Sequence, residues 1–262
     1  MPSISKLEQA PRKDLCIFYV LDSSGSMAGE KIARLNRAME ETITALKDVA
    51  RTNSDARLKV AVMKFDSDFE WITPNGPEYL ESDFQYENIQ AGGLTEIGSA
   101  LRELNDKLSV KKFMKSAAGS FMPVIIFMSD GLPTDEWEKP LREIRSNKWF
   151  TRAIKIGFKI YDDDDDSLTR EEGVRVLASI VGNSEAVIET SDLDFFARLI
   201  KFVSVTSSMV VSQSATSSTA PTGASIIQMA ENVPEGAVQH LPDSDYNPEP
   251  EPSGSDWDDS DW

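Results

Sequence analysis

The chain has 262 residues, a net charge of −17 and an ordinary content of aliphatic and aromatic side chains. This length allows one large domain with a full hydrophobic core, and no apolar run approaches the roughly 20 residues of a membrane span. An acidic surface repels nucleic acids and anionic membranes, so we expect neither as a partner. The N-terminus carries no basic stretch followed by an apolar one, so we predict no secretory signal and a cytoplasmic location.

Apolar runs alternate with segments of helical periodicity along the chain. The run 15–21 predicts a buried strand, and apolar side chains at helical spacing over 30–51 predict a long helix after it. The predicted strands are 15–21, 58–65, 70–73, 123–128, 152–160 and 186–189, and the predicted helices are 30–51, 96–108, 136–147, 169–181 and 192–209. This alternation predicts an α/β fold with a doubly wound, mostly parallel sheet, helices on both faces, and an antiparallel edge at 70–73.

The composition changes after residue 211. Residues 212–233 are rich in Ser, Thr and Ala, which predicts a flexible linker with a short apolar island at 226–229. Residues 234–262 are acidic and contain too few apolar side chains to fold alone, so we predict a disordered tail. The predicted organisation is an N-terminal extension over 1–13, a folded domain over 14–211, the linker over 212–233 and the tail over 234–262.

Two readings of this C-terminal part stay open. The tail either keeps the protein soluble or acts as a docking peptide, in which Trp257 and Trp262 anchor and the acidic residues steer. The hydroxyl groups of the linker are either phosphorylation targets or only the composition of a linker. From Ser212 onward the chain has ten acidic residues and no Lys or Arg.

Side-chain oxygens follow two of the predicted strands. Asp22, Ser24 and Ser26 come directly after the first strand, and Asp130 follows a later one. Between them, Thr95 lies in a loop that begins with two glycines. Hydroxyl groups with few carboxylates suit a hard divalent cation, and open α/β sheets bind ligands beyond the carboxyl ends of their strands. We therefore expect a metal site that serves recognition rather than chemistry.

These motifs, in this order, resemble the metal-ion-dependent adhesion site of von Willebrand factor type A domains, and the resemblance covers about residues 14–209. The stretches that carry it are LDSSGSMAGEK at 21–31, AGGLT at 91–95 and MSDGLPTD at 128–135. They are most similar to the bacterial, TerY-like branch that is associated with tellurium resistance. The resemblance implies that one Mg²⁺ or Mn²⁺ is held by Asp22, Ser24, Ser26, Thr95 and Asp130.

The resemblance also implies a function without catalysis. The bound ion keeps an open position, and the carboxylate of a partner protein completes it. For the TerY-like branch, the expected partners are a protein phosphatase and a protein kinase in a stress-response complex.

Two alternatives belong to other classes of function. A metal-dependent phosphoester hydrolase would use Asp22 as in haloacid-dehalogenase-like phosphatases. Those enzymes need a carboxylic acid two positions later, where this chain has Ser24, and a hydroxyl exchanges no proton usefully near neutral pH. Self-association is the other alternative, because a flexible tail of about 50 residues spans roughly 40 Å and brings its carboxylates within reach of the metal site.

Four further expectations concern single residues or short runs. Thr134 is expected to cap the helix 136–147, while Asp135 either caps that helix or accepts a hydrogen bond beside the ligands. The acidic run 162–166 either binds a cation or forms a solvated loop, and its self-repulsion favours the loop. Cys16 lies in a strand pattern and is expected to be buried rather than nucleophilic.

Overall fold

A seven-stranded, mostly parallel sheet forms the centre of the protein. The computed structural model describes residues 12–116, 118–161, 166–190, 205–207 and 222–231. The strands are β1 (Lys13–Asp22), β2 (Ala56–Phe65), β3 (Phe69–Trp71), β4 (Glu78–Tyr79), β5 (Val124–Ser129), β6 (Ile154–Ile160) and β7 (Val187–Thr190). Their order is β3–β2–β1–β5–β6–β7, and β4 also pairs with β2. Only β3 and β4 run antiparallel to their neighbour.

Helices cover both faces of this sheet. The described helices are α1 (Glu30–Thr52), α2 (Ile97–Lys107), α3 (Glu138–Ile144), α4 (Lys148–Arg152), α5 (Ser167–Val181) and α6 (Gly223–Glu231). Every residue of β1 after Lys13 is buried. Because successive side chains of a strand point to opposite faces, a strand buried throughout has cover on both sides. The predicted doubly wound α/β fold is confirmed.

The long helix α1 follows from the periodicity of its apolar residues. Leu35, Met39, Ile43 and Leu46 recur at spacings of three and four residues, and all four are buried. This spacing places them on one face of a helix, where they pack against the sheet. The predicted bounds therefore agree with the observed ones to within one residue at the C-terminal end.

The predicted helix 136–147 is wrong, because two shorter helices occupy this part of the chain. Pro140 lies in the first turn of α3, where a missing backbone N–H costs nothing. Asn147 has an extended backbone, and its side chain accepts a hydrogen bond from Trp149 N as the cap of α4. The side-chain amide of Asn147 also donates to the carbonyl oxygens of Asn105 and Leu108. Polar contacts at Asn147 therefore end the first helix and begin the second.

The apolar island of the predicted linker lies within helix α6. Ile226 and Ile227 are buried, and α6 contacts β6. An apolar stripe on a helix gains free energy by such burial, so this segment packs onto the sheet. Apart from α6 and Thr222, the predicted linker and the acidic tail lie outside the described residues, as do residues 1–11. Of the predicted helix 192–209, residues 205–207 are described, and they are helical.

Within the ranges given above, no helix is both long enough and apolar enough to cross a membrane.

Candidate metal centre

The register of β1 and β5 brings the carboxyl ends of these two strands side by side. Leu21 pairs with Met128, so the next residues along each strand, Asp22 and Ser129, are neighbours at the carboxyl edge of the sheet. The Ser129 hydroxyl donates to Asp22 Oδ2 over 2.6 Å. β1 lies between β2 and β5, which makes this edge the topological switch point.

Asp22 is fully buried at the end of β1. Its Oδ1 accepts a hydrogen bond of 2.8 Å from the backbone N–H of Ser24. Burial raises the pKa of this carboxyl group, the hydrogen bonds from Ser129 and Ser24 oppose the change, and the charge of Asp130 adds to it, so the pKa is about 6. A cation beside such a buried carboxylate would stabilise its charged form, which burial alone disfavours.

The first loop of the site, residues 23–29 between β1 and α1, connects Asp22 to Asp130. A short 3₁₀ turn, Gly25–Met27, follows Ser24, and the buried Met27 side chain anchors it to the core. Ser24 Oγ and Ser26 Oγ are 3.1 Å apart, and Ser26 Oγ donates to Asp130 Oδ1 over 2.7 Å. Four of the five predicted ligand residues therefore form one connected cluster of oxygens.

Thr95 lies beside this cluster in the second loop of the site, residues 91–96 before α2. Two backbone hydrogen bonds tie that loop to the first: Gly92 N donates to Ser23 O over 2.8 Å, and Gly25 N donates to Gly93 O over 3.1 Å. Gly93 has a φ of 76° and would place a Cβ 2.7 Å from Ser67 Oγ, so this position requires glycine.

The third loop of the site, residues 130–137 between β5 and α3, closes around Thr95. Thr95 N donates to Thr134 Oγ1, and Thr134 N donates to Thr95 O. A Cβ built on Gly131 would lie 3.3 Å from Thr95 Oγ1 and 3.6 Å from Ser26 Oγ. The two hydroxyl groups therefore face the same small space, which the absence of a side chain at Gly131 leaves open.

Two lysines contact Asp130, and the sequence patterns did not reveal either. Lys31 Nζ lies 2.8 Å from Asp130 Oδ2, with both side chains buried. Lys159 Nζ donates to the backbone carbonyl of Asp130. Its stem packs over Gly173 of α5, where a Cβ would lie 2.6 Å from Lys159 Cε. Both lysines have unusual positions in the sequence. Lys31 lies in the first turn of a helix, where its charge opposes the helix dipole, and Lys159 lies in a buried strand, where an ammonium group needs partners.

Asp135 caps a helix, but not the one that was expected. Its carboxylate accepts hydrogen bonds of 3.0 Å from the backbone N–H groups of Gly98 and Ser99. These groups belong to the first turn of α2, which begins just after Thr95. The prediction that Thr134 caps the following helix is also wrong, because its hydroxyl accepts from Thr95 N. Thr134 therefore connects the third loop to the second, and Asp135 connects it to α2.

Three further features near the sheet have structural roles. Asp66 and Asp68 form the turn between β2 and β3, and Asp66 also accepts a hydrogen bond of 3.1 Å from Ser23 Oγ. Of the acidic run 162–166, only Asp166 is described, and it caps α5 through Leu168 N and Thr169 N. Cys16 is buried, and burial raises the pKa of its thiol, as expected of a small hydrophobic residue.

The donor set fits a small, hard cation. Its oxygens come from two carboxylates and three hydroxyl groups, on Asp22, Ser24, Ser26, Thr95 and Asp130. Across the described ranges, no group of three or more His, Cys, Asp and Glu side chains comes together as a metal cage. Mg²⁺ and Mn²⁺ take neutral oxygen ligands and keep waters in the remaining positions, so such a sparse set suits them.

Comparisons with known proteins agree with this architecture. Among solved structures, the pilus adhesin SpaC from Lactobacillus rhamnosus GG is similar in its open conformation, with 15% identity and a TM-score of 0.60 over 75% of this chain and 30% of that chain. A von Willebrand factor type A structure from Catenulispora acidiphila has 13% identity and a TM-score of 0.51 over 74% of this chain and 42% of that chain.

Proximal thread matrix protein 1 from the mussel byssus, in a structure whose adhesion-site motif holds zinc, is also similar. It has 16% identity and a TM-score of 0.50 over 73% of this chain and 48% of that chain. The chain thus spans less than half the length of these three structures, and at such identities the likeness shows the fold alone.

Sequence comparisons give the family. No curated protein matches the chain. The profile of the von Willebrand factor type A domain matches residues 17–200, well over half of the chain. The chain therefore belongs to the von Willebrand factor type A domain family.

Proposed function

We propose that this protein is a metal-dependent protein-binding module. Asp22, Ser24, Ser26, Thr95 and Asp130 hold a Mg²⁺ or Mn²⁺ ion, and a carboxylate of a partner protein completes its coordination. The observation that carries the proposal is the connected cluster of Asp22, Ser24, Ser26 and Asp130 at the switch point, with Thr95 facing the same space.

The charge of the site supports recognition of a carboxylate. Among the described residues, the proposed ligand set has two carboxylates, on Asp22 and Asp130, and Asp130 already pairs with Lys31. A divalent cation with so little compensating charge attracts a further anionic ligand. The zinc in the adhesion-site motif of the mussel byssus protein supports a divalent cation at such a site.

The proposal extends to the TerY-like branch, on the strength of the three motif stretches. On that reading, the partners are a protein phosphatase and a protein kinase, and the complex serves tellurium resistance or another stress response. The cytoplasmic location stays a prediction that goes with this branch, and the similar pilus adhesin shows that relatives of the fold have other roles.

The two alternatives stay predictions. Phosphoester hydrolysis by the predicted mechanism would need a carboxylic acid at position 24. The residue there is Ser24, whose Oγ lies 3.1 Å from Ser26 Oγ. Self-association through the acidic tail depends on residues outside the described ranges.

Affinity purification tests the proposed function. The wild-type chain is used as bait with Mg²⁺ and with a chelator, beside Asp22→Asn, which keeps the shape of the side chain, and Thr95→Val. We expect specific partners only with Mg²⁺ and only on the wild-type chain. Asp106→Ala, which removes an exposed carboxylate at the far end of α2, is the control and should behave as wild type. Partners that remain on all baits in the presence of chelator would refute the proposal.

A further inference from the structure

Lys31 is a buried cation inside the candidate metal centre. It lies in the first turn of α1, and its Nζ is 2.8 Å from Asp130 Oδ2. The other oxygen of the same carboxylate accepts from Ser26 Oγ. The side chains of Lys31 and Asp130 are 7% and 1% exposed, so water screens their charges little.

The position of Lys31 is unfavourable without such a partner. The N-terminus of a helix carries a partial positive charge, which repels a lysine in the first turn. Burial of the ammonium group adds a desolvation cost. The contact with Asp130 helps to offset both costs, and it ties Lys31 to the metal centre.

A cation held by Ser26 and Asp130 would lie within a few ångströms of this ammonium group. Like charges at such a distance in a poorly screened site repel strongly. In addition, Lys159 brings a second ammonium group to the backbone of Asp130. Two lysines therefore lie at Asp130 before any metal is counted, Lys31 at its carboxylate and Lys159 at its backbone carbonyl.

We propose that Lys31 sets the metal affinity of this site and makes firm metal binding depend on a carboxylate ligand. Its charge weakens the binding of a divalent cation alone, and an incoming carboxylate restores the balance of charge. Metal and partner then bind together rather than in independent steps. This inference rests on the proposed function, since it concerns the same site.

Titration of Mn²⁺ into the purified full-length chain tests the inference without any partner. Lys31→Met keeps much of the apolar stem and removes the charge. We expect it to bind Mn²⁺ about tenfold more tightly than wild type, or more, because a like charge beside the ion is gone. Lys47→Met is the matched control, because it removes the same charge about 24 Å further along α1 and should leave the affinity unchanged.

A second readout separates this role from a merely structural one. Without metal, Lys31→Met leaves Asp130 buried without its ammonium partner, so we expect a lower melting temperature that Mn²⁺ raises more than it raises that of wild type. A purely structural lysine would give lower stability together with weaker metal binding. Lys31→Gln keeps an N–H donor without the charge and serves if the Met variant does not fold.

Acetate supplies the carboxylate in a third arm. We expect acetate to tighten Mn²⁺ binding by the wild-type chain more than by Lys31→Met. Equal or weaker Mn²⁺ binding by both Lys31 variants would overturn the inference. If Asp22→Asn still abolished Mn²⁺ binding in that case, the proposed metal site would stand without the role of Lys31. If neither the wild-type chain nor any variant bound Mn²⁺, both the proposed metal site and the role of Lys31 would be overturned.

Discussion

The hydroxyl group at Ser24 determines the chemical character of the site. A carboxylate there would add charge and a proton donor, whereas Ser24 offers an oxygen that shares a hydrogen bond with Ser26. The side chains that carry negative charge are Asp22 and Asp130, and each is already hydrogen bonded, to Ser129 and to Lys31 respectively. The result is a site whose oxygens are held in place before a ligand arrives, which lowers the cost of binding.

The residues of the candidate site were predictable because each follows a recognisable strand or glycine pair. Lys31, Ser129 and Lys159 were not, since contacts with them depend on side-chain direction and strand register. Periodicity indicates which face a residue occupies, but it does not show which oxygen a long side chain reaches. The assignment of the metal ligands itself stays a prediction.

Leu94 is an exposed apolar residue beside the candidate site, and we predict that it contacts the partner. It precedes Thr95 and is 55% exposed. Leu94→Ser should weaken partner capture about tenfold or more, since burial of a leucine contributes about 1.5–3 kcal/mol. Mn²⁺ affinity should stay unchanged, and both are measured on the same preparation.

Val110→Ser is the matched control for Leu94→Ser. Val110 is 57% exposed and follows the C-terminal end of α2, away from the site. Unchanged partner capture by Leu94→Ser would contradict the predicted contact.

At the level of secondary structure, the helices hold the loops of the site in place. Asp135 of the third loop caps α2, which begins two residues after Thr95. Asn36 of α1 binds Ile89 and Tyr86, which fixes the segment leading to that loop. Among the long elements, α1 was predicted to within one residue at each end and β1 to within two. Short ones were not, because β4 has two residues and α3 and α4 depend on Pro140 and Asn147 rather than on a period.

We predict that Asp135→Ala lowers both stability and metal affinity. Loss of a helix cap costs about 1 kcal/mol of unfolding free energy, and here it also loosens the loop that carries Thr95. Urea denaturation and Mn²⁺ titration measure the two effects. Asp166→Ala removes the cap of α5 and should lower stability by a similar amount while leaving Mn²⁺ affinity unchanged. Equal metal affinity of Asp135→Ala and wild type would contradict the link between cap and site.

Over the whole molecule, charged groups cluster at both ends of the central strands, where the strands begin and where they end. Where the parallel strands begin, the buried carboxylate of Asp14 pairs with Arg57 and with Lys115, each over 2.7 Å. Burial raises the pKa of Asp14, but the hydrogen bond and charge of Lys115 together with Arg57 outweigh it, and the pKa lies below its ordinary value.

This lowered pKa predicts an acid-sensitive contribution to stability. Because the folded state binds the proton of Asp14 less readily than the unfolded state, the contribution is present above the unfolded pKa of about 4 and is lost as pH falls below it. Asp14→Asn should therefore lower stability near pH 6 and show a smaller further loss between about pH 4 and pH 3 than wild type. Urea denaturation at these pH values measures the free energy of unfolding. Parallel curves of this free energy against pH for the two proteins would refute the predicted role of Asp14.

The in-step pairing of β1 with β5 has a practical consequence for protein engineering. Asp22 meets Ser129 only because the two strands are aligned residue by residue. Deleting one residue within β5 would turn every following side chain to the opposite face and dismantle the site. The turn after α2, by contrast, lies at the other edge, where the strands begin. Tags, fluorophores or whole fused domains inserted near Val110 would leave the alignment intact, so that turn is the attachment point for reporters of partner binding.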